Sequence, residues 1–304
     1  MEQLAALRHL LGEEKIAFCE NESMAAHTTM RVGGPAALFC IPNGSAQLMR
    51  CLMACRNTGV EYYLLGNGSN TLFSDDGFPG AVIYVGETLG SIQVEDDQII
   101  AGAGASLARV CQAALQAELG GMEFAYGIPG SVGGAVYMNA GAYGGEMKDV
   151  LAEVYYLDEE GTMRNRPVEE LGLGYRTSVF IGSKECIVGA RFVLHPSKKE
   201  IIKEKMDDLM ERRRSKQPLE WPSAGSTFKR PVGAFAGALI EQCGLRGFTV
   251  GGASISEKHC GFVINKGGAT CKDVVELTRR VHDIVLAKTG YTLEREIRVV
   301  GEDV

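Results

Sequence analysis

The chain has 304 residues, 45% of them hydrophobic and 23% charged, which excludes wholesale disorder and coiled coil and predicts about two domains. The formal net charge of -7 excludes a broad nucleic-acid-binding surface, because a phosphate backbone demands a basic face; any anionic ligand must be held by local groups. Glycine is unusual at 39 residues, against a typical ~7%, and without a collagen period these glycines must serve tight turns and close backbone approach.

In chain order, residues 2–17 read as an amphipathic helix with Leu4, Leu7, Leu10 and Leu11 on one face, and Glu20 to His27 as a polar loop. A turn at 28–35 feeds a strand at Ala36–Ile41. Ser45 reads as the N-cap of a helix that ends near Gly59 and turns Leu48, Cys51, Leu52 and Cys55 inward. A strand at Glu61–Leu65 closes on Gly66-Asn67-Gly68-Ser69-Asn70, which gives strand–helix–strand order and a parallel unit. Strands follow at Ala81–Val85, Ser91–Glu95 and Gln98–Ala101. Ser106 caps a helix to about Glu118, with Gly120-Gly121 after it.

From Gly127 to Gly145 glycine is too dense for a regular element. A hairpin fits Val150–Leu157 and Thr162–Arg166, and a strand fits Glu185–Leu194. After Pro196 comes a charged helix, 198–217, with Ile202, Met206, Leu209 and Met210 inward. Arg212, Arg213, Arg214 and Lys216 crowd its C-terminal end, where the helix dipole favours cations. A second strong helix spans Lys272–Thr289 between Thr270 and Gly290, with an apolar face of Val274, Leu277, Val281 and Ile284. The chain then reads as a strand over Leu293–Val300.

Nine cysteines without a Cys-x-x-Cys pair read as reduced, mostly buried thiols of a cytoplasmic protein. No signal peptide, membrane span or metal-ligand set is visible, so no metal and no membrane are expected, and no protein partner can be inferred.

Five segments carry chemistry. Gly66–Asn70 is either a cradle of backbone N–H groups for a phosphate or a tight strand connection; it is neither a Walker loop nor a Gly-x-Gly-x-x-Gly fingerprint. Gly127–Gly145 is too long a glycine run to go without a ligand or close packing. Ala224-Gly225-Ser226-Thr227-Phe228-Lys229-Arg230-Pro231 sets a Ser on a constrained backbone beside two cations, but no hydrolase elbow surrounds it. In Gly174-Tyr175-Arg176-Thr177-Ser178, Arg176 is either a carboxylate clamp or a surface ion-pair partner. Alternation sets Glu294 and Glu296 on one face of the last strand.

Taken in order with Thr28–Pro35 and Asn139-Ala140-Gly141-Ala142-Tyr143-Gly144, these segments resemble the UDP-N-acetylenolpyruvoylglucosamine reductase family, flavoenzymes of peptidoglycan-precursor synthesis, over nearly the whole chain. The chain is similar to the shorter of the family's two subtypes, because no long insertion precedes Arg176. The resemblance implies an α+β fold: a two-lobed FAD-binding domain of the PCMH/vanillyl-alcohol-oxidase type, with lobes at 1–80 and 81–196, and a smaller substrate-binding domain at 197–304.

It also implies hydride transfer from NADPH through non-covalent FAD to UDP-N-acetylglucosamine enolpyruvate. Arg176 would hold the substrate carboxylate, Ser226 would donate the proton, and Glu296 would support that donor. FAD would lie on Arg31, Gly66, Asn67, Gly68, Ser69, Asn70, Gly127, Ile128, Pro129, Gly130, Ser131, Gly133, Gly134 and Gly141. Tyr175, Lys216, Lys229 and Arg230 would contact substrate; the family often has Asn where Arg230 stands. Two alternatives stand beside this reading: another FAD-dependent oxidase or dehydrogenase of the same fold, and a flavin- or nucleotide-binding module without catalysis.

Overall fold

The computed structural model describes residues 2–301; Met1 and residues 302–304, the outer ends of the first and last expected domains, lie outside the described residues. The chain divides into two compact units. The first holds the N-terminal segment to Cys19, Leu38–Asn67 and Gly80–Arg213. The second holds Glu20–Ala37, Gly68–Pro79 and the described residues from Arg214 onward. Neither unit is one continuous stretch of chain, and the last change of unit falls at 213/214, inside a helix.

The first unit begins with helix α1 (Glu2–Glu13), which buries Leu7 and Leu11. It stops short of the expected residue 17, for Lys15 takes a left-handed turn (φ 53°) and Ala17–Ser23 is a strand where the polar composition predicts a loop. This strand is the edge of a four-stranded sheet, followed in order by Pro35–Ile41, Phe78–Tyr84 and Tyr62–Leu65. An edge strand that stays mostly exposed carries no apolar alternation, so periodicity misses it.

Helix α2 (Ser45–Thr58) buries Leu48, Cys51, Leu52 and Cys55 as predicted. Gly44 rather than Ser45 takes the N-cap position, and Gly59 ends the helix in the left-handed conformation at φ 68°. Tyr62–Leu65 runs parallel to Phe78–Tyr84, which lies between it and Pro35–Ile41; the two strands that flank α2 are therefore not neighbours.

A five-stranded antiparallel sheet follows, in the order Met163–Pro167, Leu151–Leu157, Cys186–Val193, Gln98–Gly102, Ile92–Glu95. The predicted hairpin supplies its first pair. Helix α3 (Leu107–Gln116) is capped by the Ser106 hydroxyl, which accepts from the Arg109 amide at 3.3 Å. The glycine-dense stretch does contain regular structure. A six-residue helix, α4 (Val132–Tyr137), starts at a Ser131 cap, and a short hairpin pairs Gly141–Ala142 with Gly145–Glu146. Helix α5 (Lys199–Lys216) buries Ile202, Met206 and Arg213, whereas Leu209 and Met210 are only half-buried.

In the second unit, an antiparallel sheet runs Ser223–Ser226, Phe262–Asn265, Ala253–Ile255, Thr249–Val250, beside helix α6 (Ala236–Gln242). Helix α7 (Cys271–Thr289) matches expectation: Thr270 and Asp273 form a capping box and Gly290 closes it at φ 76°. Val285, not Ile284, completes its buried face. The final strand is only Arg298–Val300, parallel to Thr71–Phe73. Each unit has its own apolar core, one built around Leu38, Leu48 and Val110 and the other around Ile240, Leu277 and Val281. No described helix is long and apolar enough to cross a membrane.

Candidate functional site

In the first unit, the turn at Gly66-Asn67 packs on the segment Pro129–Ser131. A Cβ on Gly66 would lie 2.4 Å from Ser131 Oγ, and Asn67 Nδ2 donates to the Pro129 carbonyl at 3.5 Å. Small neutral residues thus meet where two connections cross. Small neutral residues of this kind let a backbone approach a diphosphate closely.

The amides further along are less available. Those of Ile128, Val132, Gly133 and Gly134 donate to Ala125 O, Ala105 O, Ala103 O and Ser131 Oγ. Within 127–134 these four amides are thus already engaged. Gly127 has a packing reason of its own. A Cβ there would lie 2.6 Å from Nε of the buried Arg213, one of the cations at the C-terminal end of α5. Burial pushes the Arg213 pKa below its ordinary value, opposed by the nearby Tyr143, over whose ring the guanidinium sits at 5.7 Å.

Arg176 occupies a four-residue turn in which Gly174 and Thr177 exchange backbone bonds of 3.3 and 3.4 Å. Its backbone is left-handed, φ 55°, which non-glycine residues adopt at a cost of about 1 kcal/mol or more. The guanidinium donates to the Gly141 carbonyl at 3.3 Å and lies 5.3 Å from the centre of the exposed Tyr175 ring. Two side chains anchor the turn: Ser178 Oγ donates to Tyr137 O at 2.7 Å, and Asn139 Nδ2 donates to Gly174 O at 2.9 Å. Sequence reasoning gives Asn139 no role, although an Asn within a glycine run signals a left-handed position.

In the second unit, Ser226 ends the strand Ser223–Ser226 and is exposed. Gly225 (φ 75°) precedes it, and the register with Phe262–Asn265 slips between Ser223 and Ser226, so the backbone bulges at the serine. Thr227 is fully buried; its hydroxyl accepts from the Val263 amide at 2.8 Å and pins the chain just past Ser226. The segment 294–296 returns antiparallel to 227–229. Lys229 N donates to Glu294 O at 2.8 Å, and Glu296 N donates to Thr227 O at 2.8 Å. Asn70 Nδ2 holds the Glu296 carbonyl at 3.2 Å, and the Asn70 carbonyl accepts from the Arg298 amide at 3.1 Å.

Ser226 and Glu296, far apart in sequence, are thereby neighbours. The two glutamates part company: Glu294 is exposed and ion-paired to Lys229, while Glu296 is half-buried. Arg230 stacks on Phe235, 3.9 Å from the ring centre, and Lys216 is exposed at the end of α5.

Arg31 also takes a left-handed backbone (φ 56°), in a turn closed by its amide on Thr28 O. Asn265 Nδ2 holds the Met30 carbonyl at 3.1 Å. Gly68 fits against this turn so closely that a Cβ would lie 2.1 Å from His27 O; that contact accounts for the glycine without a ligand. Among the described residues no cluster of three or more His, Cys, Asp or Glu could hold a metal ion.

Residues 217–300 match the family model described as UDP-N-acetylenolpyruvoylglucosamine reductase, C-terminal domain, and residues 36–165 match an FAD binding domain. The UDP-N-acetylenolpyruvoylglucosamine reductase of Clostridium botulinum (strain Hall) is 48% identical over 283 residues, covering 93% of this chain and 92% of that protein. The corresponding protein of Clostridium perfringens (strain SM101) is 47% identical over 303 residues, 100% of this chain and 99% of the other. The solved UDP-N-acetylenolpyruvylglucosamine reductase of Thermus caldophilus superposes with a TM-score of 0.79 at 37% identity, over 93% of this chain and 98% of that one.

Proposed function

The chain belongs to the UDP-N-acetylenolpyruvoylglucosamine reductase family, FAD-containing oxidoreductases with a PCMH-like FAD-binding fold, and from that membership we propose that it reduces UDP-N-acetylglucosamine enolpyruvate to UDP-N-acetylmuramate with NADPH. The reaction serves peptidoglycan-precursor synthesis. We assign it to the cytoplasm, an assignment supported by cysteines that are all unpaired thiols, eight of them buried.

FAD, when bound, would supply the hydride chemistry that links NADPH to the enolpyruvyl β-carbon. The small neutral residues at Gly66–Asn67 and Gly130–Ser131 fit its diphosphate. Arg31, Gly68, Ser69, Asn70 and Gly141 complete the proposed FAD contacts.

Hydride addition next to a carboxylate builds negative charge at the α-carbon and the carboxylate oxygens. Arg176 answers that charge. Its planar fork pairs with a carboxylate through two parallel bonds, and it arrives pre-aimed by an anchored turn. Ser226 gives its hydroxyl proton to the α-carbon. Glu296 steadies that hydroxyl and helps to restore its proton. Tyr175, Lys216, Lys229 and Arg230 bind the rest of the substrate; a diphosphate arriving at Lys229 must compete with Glu294.

The observation that supports this reading most is the backbone bond of Glu296 to Thr227, which runs the segment carrying Glu296 alongside the one carrying Ser226. The test is the anaerobic visible spectrum through two additions, NADPH and then the enolpyruvyl nucleotide. Bleaching followed by return of the flavin bands only with the nucleotide is expected. Bleaching with no return would overturn the substrate. Fast reoxidation by O2 with an alcohol substrate would favour an oxidase of the same fold.

A further inference from the structure

We propose that Asn139 is the positioning residue that aims Arg176. The proposal rests on the carboxylate-binding role of Arg176 given above. Asn139 is wholly buried and left-handed, φ 42°. Both of its amide protons are used: Nδ2 donates to Glu146 Oε2 at 2.7 Å and to Gly174 O at 2.9 Å. Its Oδ1 accepts from the Lys148 amide at 3.0 Å. One side chain therefore ties together two structures.

The first is the turn Gly174–Thr177, which fixes the backbone of Arg176. The second is the hairpin in which Gly141 pairs with Glu146, and the Gly141 carbonyl receives the Arg176 guanidinium at 3.3 Å. Root and tip of the arginine are thus referenced to the same buried amide. Few residues fit position 139. Gly and Asp tolerate the backbone, but neither has an N–H donor on its side chain at neutral pH.

Asn139→Asp keeps shape and backbone and removes both donors. In the holoenzyme, flavin content and the rate of bleaching by NADPH should stay within about twofold of the parent. Reoxidation by the enolpyruvyl nucleotide should slow about 10- to 100-fold, the scale of a 1 Å misplacement. Asn139→Gly, which loses the side chain and keeps the backbone, should behave alike if the Asp variant does not fold.

A double-mutant cycle separates positioning from a structural defect. Added to Arg176→Ala, Asn139→Asp should slow reoxidation by no more than about twofold further, because its effect passes through the arginine. Fully additive slowing, equal slowing of both half-reactions, or no slowing would each overturn the proposal. If the parent enzyme itself is not reoxidised by the nucleotide, the substrate reading fails on its own. The positioning claim is then decided by the Arg176 Nε–H resonance, assigned through its loss in Arg176→Lys. It should shift or broaden in Asn139→Asp, and an unmoved resonance would overturn the claim.

Discussion

The amide of Glu296 donates to the carbonyl of Thr227 at 2.8 Å, so the backbone of Glu296 is laid against the residue that follows Ser226. The same Glu296 peptide is gripped on its other side by Asn70 Nδ2. With donor and acceptor both engaged, the Glu296 backbone cannot shift along the strand without losing a bond.

Ser226→Ala should leave flavin binding and bleaching by NADPH intact, while reoxidation by the enolpyruvyl nucleotide falls about 10²- to 10⁴-fold, the usual worth of a positioned proton donor. Anaerobic stopped-flow absorbance measures both steps. Near-normal reoxidation would remove Ser226 from the proton transfer.

Gly66→Ala drives a methyl group into Ser131 Oγ, which must swing away and give up its cap on the Gly134 amide. A loss of about 1 kcal/mol of stability is expected, with reduced flavin content in the purified protein. Ser131→Ala alone, which loses the same cap without the collision, should cost a similar amount of stability. Unchanged flavin content in the Gly66→Ala variant would remove this crossing from the cofactor site.

Asp75 caps α7 from outside the helix: its two carboxylate oxygens accept from the Cys271 and Lys272 amides at 2.7 and 3.0 Å. Asp75→Ala should cost about 1–2 kcal/mol, seen as faster hydrogen exchange at the start of α7. Asp75→Asn, which keeps one acceptor, should cost less. Equal exchange in all three proteins would show that the Thr270–Asp273 box suffices alone.

Burial pushes the Cys111, Cys186 and Cys271 thiols up to about 12. Near pH 8 the folded protein should therefore offer a thiol-titrating disulfide reagent one fast group, the exposed Cys19, and all nine cysteines only after denaturation. The raised values also give a sign for alkaline stability. Unfolded thiols ionise from about pH 9 upward and folded ones do not, so the folded chain holds more protons and stability falls as pH rises from about 9 toward 12. Several fast thiols in the native protein, or a flat stability curve over that window, would contradict the burial.

Local signals were readable where the physics is local. A helix C-terminus closed by Gly59 or Gly290, and a start capped by Thr270 and Asp273, depend on residues within one turn. The strand Ala17–Ser23 was not readable, because an exposed edge leaves no periodic trace. The burial of Arg213 is not legible for a related reason: its place at a helix end is local, but its cover comes from Gly127, far away in sequence. The Leu293–Val300 alternation predicts one strand, but only Arg298–Val300 pairs as one, while Arg295 makes an isolated bridge to Phe228.

The sequence by itself determined which residue types are available for the chemistry, the order of the motifs that carry the family, and the helices set by their own caps. Only the tertiary structure decided which glutamate stands where. Local alternation treats Glu294 and Glu296 alike. Pairing with a distant segment separates them: Lys229 takes the Glu294 side chain, and Thr227 takes the Glu296 backbone. A cap is a bond to a neighbour in the chain, whereas this selection comes from a register that the buried core around Leu277 and Val281 holds in place.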